Sequence, residues 1–375
     1  SAAPFNVQQV LTERIPIITS CGKRSLAVRA EMPTDRAKHN ESRMPMSDYR
    51  LFGADTSPYS QKVRSFLRYK NIDFDWVSRS RENEEEFQAL ARVASVPLLV
   101  SPSRSANQDS TAIISALEED HPEPTAVPDD VATSTLALIL EDYADEWLNK
   151  IMFLERWSQK PDREDAALRV LVQLYGGKRP RAYKKAQKQI AERMADRLNL
   201  VGADSANADM LKASFERFAT LLNAHLTEQL YIFGGRPSAA DFALAAQFQQ
   251  MMMDKTPAEW LKKHAPFVVA WIGNMEDPKP GAPFASLEAL APTLTPLFAE
   301  EVSKTYLPWA KANSKAAERG DKNVSASIEG GSFEQTTQTY AARAYDSVRK
   351  AVGASLSDDA LKGFLSEAGC SKFFG

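Results

Sequence analysis

The sequence of 375 residues is short of cysteine, histidine and long apolar runs. Only Cys21 and Cys370 are present, which excludes a disulfide framework and a cysteine-rich metal site and suits a reducing compartment. Four dispersed histidines (His39, His121, His225, His264) offer no HExxH motif and no paired ligand spacing, so no metal is expected. No stretch approaches the roughly 18 uninterrupted apolar residues of a membrane-spanning helix. Glycine (16) and proline (21) are too few for a collagenous or low-complexity chain. Neither sign of charge dominates: 46 Lys and Arg face 49 Asp and Glu, a formal charge of -3, which gives no general case for nucleic-acid binding. What remains is ordinary globular composition, 43% hydrophobic, at a length that suits two to three domains.

Residues 1–46 predict an N-terminal extension. Up to Ala30 they hold one acid, Glu13, against Arg14, Lys23, Arg24 and Arg29, and sustain no periodicity. Acid-poor, Arg- and Ser-containing N-termini are similar to organelle-targeting sequence or its mature remnant, which points to mitochondrion or plastid; a tail with a tag-derived Ser1, in a cytoplasmic protein, is the other reading. Organisation starts at Tyr49. A strand over 49–53, a turn at 54–58, a helix over 60–70, a strand over 72–77, a helix over 83–94, a strand over 96–100 and a helix over 109–119 make an alternating α/β unit, placed at 47–122. Pro122, Pro124 and Pro128 mark a linker. An all-α domain is expected at 130–300, with helices near 133–157, 182–200, 207–230 and 238–253. A C-terminal extension at 301–375 carries one arm of a small hairpin at 325–329 and helices at 340–352 and 358–367.

Three features of the α/β unit bear on chemistry. Thr56-Ser57-Pro58-Tyr59-Ser60 joins a strand to a helix, and hydroxyls and orphan N–H groups at a helix N-terminus stabilise an anion, a thiolate above all. The protein has no thiol there, so a ligand would have to bring it; plain N-capping by Ser57 with Pro58 at the first helical position explains the same residues. Val96-Pro97 enters a strand where proline is costly except at an edge or bend, which makes it a candidate cis bond that exposes the Val96 backbone to an extended, peptide-like ligand. Asp109 and Ser110 open a helix and suit the ammonium and carboxylate of an α-amino acid.

In that order these residues resemble the N-terminal domain of the glutathione S-transferase superfamily. The resemblance implies a thioredoxin-like α/β domain followed by an all-α domain, a glutathione S-transferase-like fold with a helical C-terminal extension. Gly235-Arg236-Pro237-Ser238-Ala239-Ala240-Asp241-Phe242 is similar to the buried capping box of the transferase α-domain, a folding element. By resemblance Ser57 is the catalytic residue, its hydroxyl donating to the glutathione sulfur. Val96, Pro97, Asp109 and Ser110 hold glutathione, which is a co-substrate. Tyr143 and Trp147, in the helix containing Glu141-Asp142-Tyr143-Ala144-Asp145-Glu146-Trp147, are assigned to the electrophile pocket, with the protein core as their other reading. The expected partners are glutathione and a small electrophile, in a homodimer or a hetero-complex. The function implied is a glutathione S-transferase-like protein that stabilises the thiolate for attack on that electrophile. The alternative is a non-catalytic accessory subunit of a larger organellar complex, suggested by Ser1 as a processed start and by the length of the extension. The basic run over 177–188, with six cations in twelve residues, reads as a solvated helix face.

Overall fold

The structure, a computed structural model, describes residues 48–374. The expected extension at 1–46 therefore lies outside the described residues. Strand β1 (Tyr49–Gly53) pairs in parallel with β2 (Phe74–Ser78) and antiparallel with β3 (Leu98–Val100), and β3 pairs antiparallel with β4 (Ala106–Gln108), giving the order β2-β1-β3-β4. Helices α1 (Pro58–Tyr69), α2 (Glu84–Leu90) and α3 (Ser110–Asp120) complete this unit. Alternation along β1 sends Leu51 to the face shared with α1 and α3, and Phe52 to the opposite face, where Phe87 of α2 covers it. Strand β4 is absent from the expectation because three residues with a polar centre carry no usable alternation. Helix α2 is also shorter than expected.

The helical region runs through α4 (Val131–Tyr143), α5 (Asn149–Ser158), α6 (Lys160–Leu174), α7 (Tyr183–Ala195), α8 (Ala208–His225), α9 (Ala239–Met252), α10 (Lys255–His264), α11 (Pro266–Asn274) and α12 (Leu287–Leu297). A π-helical segment, Ala144–Leu148, separates α4 from α5 where one continuous helix was predicted. Helix α9 starts at the expected capping box: Asp241 accepts from the Ser238 amide at 2.9 Å, and its other oxygen accepts from the Ile232 amide at 2.9 Å and the Trp271 indole at 3.0 Å. Burial nevertheless pushes the Asp241 carboxyl up to about 6.

The C-terminal segment comprises α13 (Tyr306–Arg319), a hairpin of β5 (Asn323–Ile328) and β6 (Gly331–Thr336), α14 (Thr339–Ser355) and α15 (Asp359–Glu367). The expected hairpin and both terminal helices are present. Trp309 of α13 and Phe333 of β6 lie 5.7 and 5.1 Å from Trp147, so this segment shares one apolar core with the helical region. Gly202 adopts a left-handed conformation (φ 72°) beneath the hairpin, where a Cβ would come within 2.8 Å of Phe333. No helix among the described residues is long and apolar enough to cross a membrane.

The two units are tied directly to each other. Phe66 and Tyr69 of α1 pack on Phe242 of α9, at 5.2 and 5.6 Å between ring centroids. Arg156 of α5, nearly fully buried, donates to Asp254, to the Gln250 carbonyl and to the Thr56 carbonyl in the turn before α1. That anchor fixes the turn from outside its own domain.

Candidate functional site

Cavity geometry starts from two backbone requirements. Val96-Pro97 is cis, and it is braced by Gln108, whose amide nitrogen donates to the carbonyls of Val93 (2.9 Å) and Ser95 (2.8 Å) while its oxygen accepts from the Arg92 amide (2.7 Å). Asp109, next in sequence, holds a left-handed φ of 81° that Asp tolerates better than most residues. As the N-cap of α3 it accepts from the amides of Thr111 (3.1 Å) and Ala112 (3.4 Å) through one oxygen. Its second oxygen takes the hydroxyl of Tyr340, from the start of α14.

These groups line one cavity of about 650 Å³. Val96, Pro97, Asp109 and Ser110 share its wall, as the sequence reading grouped them. Ser57 does not belong to that wall. It is 2% exposed, caps α1 and accepts from the Ser60 amide at 3.3 Å. Tyr59 reaches the cavity instead, its hydroxyl donating to the Asp145 carbonyl in the π segment at 2.9 Å.

Tyr143 and Trp147 require a correction. Both are fully buried, Tyr143 against Phe218 and Tyr306 and Trp147 against Trp309 and Phe333. Their polar atoms are spent in the core as well: the Tyr143 hydroxyl donates to Glu301 at 3.2 Å and the Trp147 indole donates to Ser214 at 2.9 Å. The face that meets the cavity carries Glu141, Asp142, Asp145, Glu146, Asn149 and Lys150. Large apolar side chains at helical spacing on a chain with a core to fill were core, and the acids beside them faced the opening.

That acidic face is compensated from below. Lys62 of α1, with its side chain 1% exposed, reaches Glu141 at 2.6 Å, Asp145 at 2.7 Å and the Thr111 hydroxyl at 3.1 Å. Burial opposes the ammonium charge, but Asp145 and Glu141 outweigh it and hold Lys62 protonated. Burial pushes Asp142 up to about 7 against the donated hydroxyl of Tyr306, and Asp145 up to about 6 against Lys62. Burial, reinforced by Asp142, raises Glu146 to about 8, and burial lowers Lys150 to about 8 against the pull of Glu146. The site therefore mixes a strand edge beside a cis bond, the capped head of α3 and a row of acids whose carboxyls burial raises. Among the described residues no cluster of His, Cys, Asp and Glu could hold a metal ion.

Several wall residues escaped the sequence reading. Lys62 had a signal: it precedes Val63 and, with Phe66, falls on the buried face of α1, where a lysine demands a carboxylate partner. Tyr340 and Arg343 had none, since nothing local in α14 announces that it roofs a cavity built by residues 96–110.

The chain matches the description "Glutathione S-transferase, N-terminal domain" over residues 51–125 and "Glutathione S-transferase, C-terminal domain" over residues 186–274. Similar solved structures include a glutathione S-transferase from Rhodospirillum rubrum, 19% identical, covering 67% of this chain and 91% of that one at a TM-score of 0.39. A glutathione S-transferase from Methylobacterium radiotolerans, in complex with glutathione sulfonate, is 19% identical and covers 64% of this chain and 96% of its own at a TM-score of 0.38. A beta-etherase from Sphingobium is 16% identical and covers 66% and 98% at a TM-score of 0.44. No curated protein matches the chain.

Proposed function

The chain belongs to the glutathione S-transferase superfamily, and from that premise we propose that its cavity binds glutathione and stabilises the thiolate for attack on a small electrophile. One observation carries the reading: Val96-Pro97 and Asp109-Ser110, from separate segments, meet on a single cavity wall with the cis bond beside the strand edge. Glutathione is extended and peptide-like. Its cysteinyl backbone would pair with Val96, its γ-glutamyl ammonium would meet Asp109, and its γ-glutamyl carboxylate would meet Ser110 at the positive end of α3. The thiol would then lie toward the N-terminus of α1. Ser57 has accepted one hydrogen bond there and, among the described residues, donates none, so its hydroxyl hydrogen is free for a thiolate. Isothermal titration with glutathione is the test; no heat at millimolar ligand would refute the reading.

A second reading has its own observation. Ser57 is buried away from the cavity wall and the Tyr340 hydroxyl already occupies Asp109. Both favour a transferase-like protein without transfer chemistry, which as an accessory subunit would hold a place in a larger complex. The native mass of the purified protein separates the two: a homodimer favours the enzyme, and a fixed place in a hetero-complex favours the subunit.

A further inference from the structure

Beyond the glutathione residues, the cavity wall holds a pair of groups with nothing to bind. Glu146 and Lys150 are four apart, across the junction of the π segment with α5, and both line the cavity. At that spacing a glutamate and a lysine normally reach each other. Here they close no ion pair, and among the described residues neither has a hydrogen-bond partner. Lys150 is 4% exposed, with its ammonium 4.0 Å above the ring of Trp309. The other acids of this wall are spent, Asp145 and Glu141 on Lys62, Asp142 on Tyr306 and Asp109 on Tyr340, whereas the buried Oδ1 of Asn149, beside Lys150 in the sequence, is unpartnered too. A buried amine left without an acceptor is expensive unless something else supplies one.

We propose that Glu146 and Lys150 form the polar end of the acceptor subsite, and that they recognise an uncharged group carrying a carbonyl and an N–H side by side, a carboxamide. The carbonyl oxygen would accept from Lys150 and the amide N–H would donate to Glu146, so one ligand group bridges the open pair. Burial drives the glutamate toward its acid, while Lys150, lowered to about 8, still carries its proton at pH 7; the ammonium can donate to the carbonyl and the acid's carbonyl oxygen can accept the N–H, so the pair suits a neutral group without needing an opposite charge on the ligand. This assignment rests on glutathione occupying the Val96–Ser110 wall, and it gives that reading a substrate class: electrophiles that bear an amide rather than an aromatic or alkyl body.

The test compares two glutathione derivatives of nearly equal shape by isothermal titration, S-(carbamoylmethyl)glutathione and S-isobutylglutathione. The amide should bind about tenfold tighter to the wild-type protein, the worth of two modest hydrogen bonds. Lys150→Met keeps length and removes the amine; it should abolish that preference while glutathione itself binds unchanged. Glu146→Leu should reduce the preference in the same way, so the result does not hang on one variant folding. Because both ligands share the glutathione moiety, their affinity ratio cancels any general loss in a variant. Equal affinities in the wild type, or a preference that survives Lys150→Met, overturn the inference and leave glutathione binding standing. Failure of glutathione and both derivatives to bind the wild type overturns both readings together.

Discussion

Replacing Asp109 by Asn separates recognition from architecture. Asn tolerates positive φ and caps helices about as well as Asp, so the turn at φ 81° and the bonds from Thr111 and Ala112 should persist. What changes is charge. The Tyr340 hydroxyl would donate to a neutral amide oxygen instead of a carboxylate, a loss of about 1 kcal/mol from the difference between charged and neutral hydrogen bonds. In a domain of one to two hundred residues that corresponds to a fall in Tm of roughly 2–4 °C. Binding should suffer more. Removing one partner of a desolvated charge pair costs about 2–5 kcal/mol, or roughly 30- to several-thousandfold in Kd. The assay is titration calorimetry with glutathione beside a thermal melt, repeated with the analogue whose γ-glutamyl amino group is replaced by hydrogen. Glutathione should weaken sharply and the deamino analogue hardly at all. A folded Asp109→Asn protein that binds glutathione as tightly as wild type would refute the assignment of this carboxylate to the ammonium.

Three further outcomes follow from the same geometry. Ser57→Ala should cost about 0.5–2 kcal/mol of stability in urea unfolding through the lost cap, and should raise the thiol pKa of bound glutathione by about one to two, measured from thiolate absorbance; an unchanged thiol would make Ser57 a cap alone. Lys62→Met should destabilise by about 3–5 kcal/mol at pH 7, because Glu141 and Asp145 would lose the buried cation that both are bonded to; a neutral result in chemical denaturation would show that the cluster is hydrated. Glu155 is buried, and burial, with Asp162, Glu216 and Asp254 adding to it, raises its carboxyl to about 7 against Lys212. The folded state therefore holds a proton that the unfolded chain releases near 4.3, so this group costs stability as pH rises from about 4 to 7, by up to about 3 kcal/mol. Glu155→Gln should match wild type in thermal melts at pH 4 and exceed it at pH 8; a parallel pH profile would refute the sign.

The parts of the site that were legible in the sequence are those where backbone geometry demands a particular residue. A proline at a strand entrance, an aspartate at the head of a helix and a Ser-x-x-Asp box each announce themselves within a few positions, and the structure places all three as read. Which side chains face the cavity was not legible from the stretch Tyr143–Trp147. Tyr143 and Trp147 sit at the same spacing whether they face a ligand or a core, and only the packing of Phe218, Trp309 and Phe333 decides. The π segment compounds the ambiguity, since one extra residue in a turn rotates everything after it relative to an ideal helix. Helix α14 was found as a helix but not as a wall, because its contact with Asp109 leaves no trace in either stretch of sequence.

The bond between Tyr340 and Asp109 spans 231 positions, and that distance has a meaning in the order of synthesis. A nascent chain exposes the Val96-Pro97 edge and the head of α3 early, before the helical region that backs them has left the ribosome. Tyr306, which donates to Asp142, and Gln338, which Asn313 pins at its backbone N–H and C=O by two bonds of 2.8 Å, arrive far later. Any product ending before them would carry Val96, Pro97, Asp109 and Ser110 without Tyr340 over them, and Asp142 without the hydroxyl of Tyr306. Premature termination late in the message would thus spare most of the chain and still deny it a finished site.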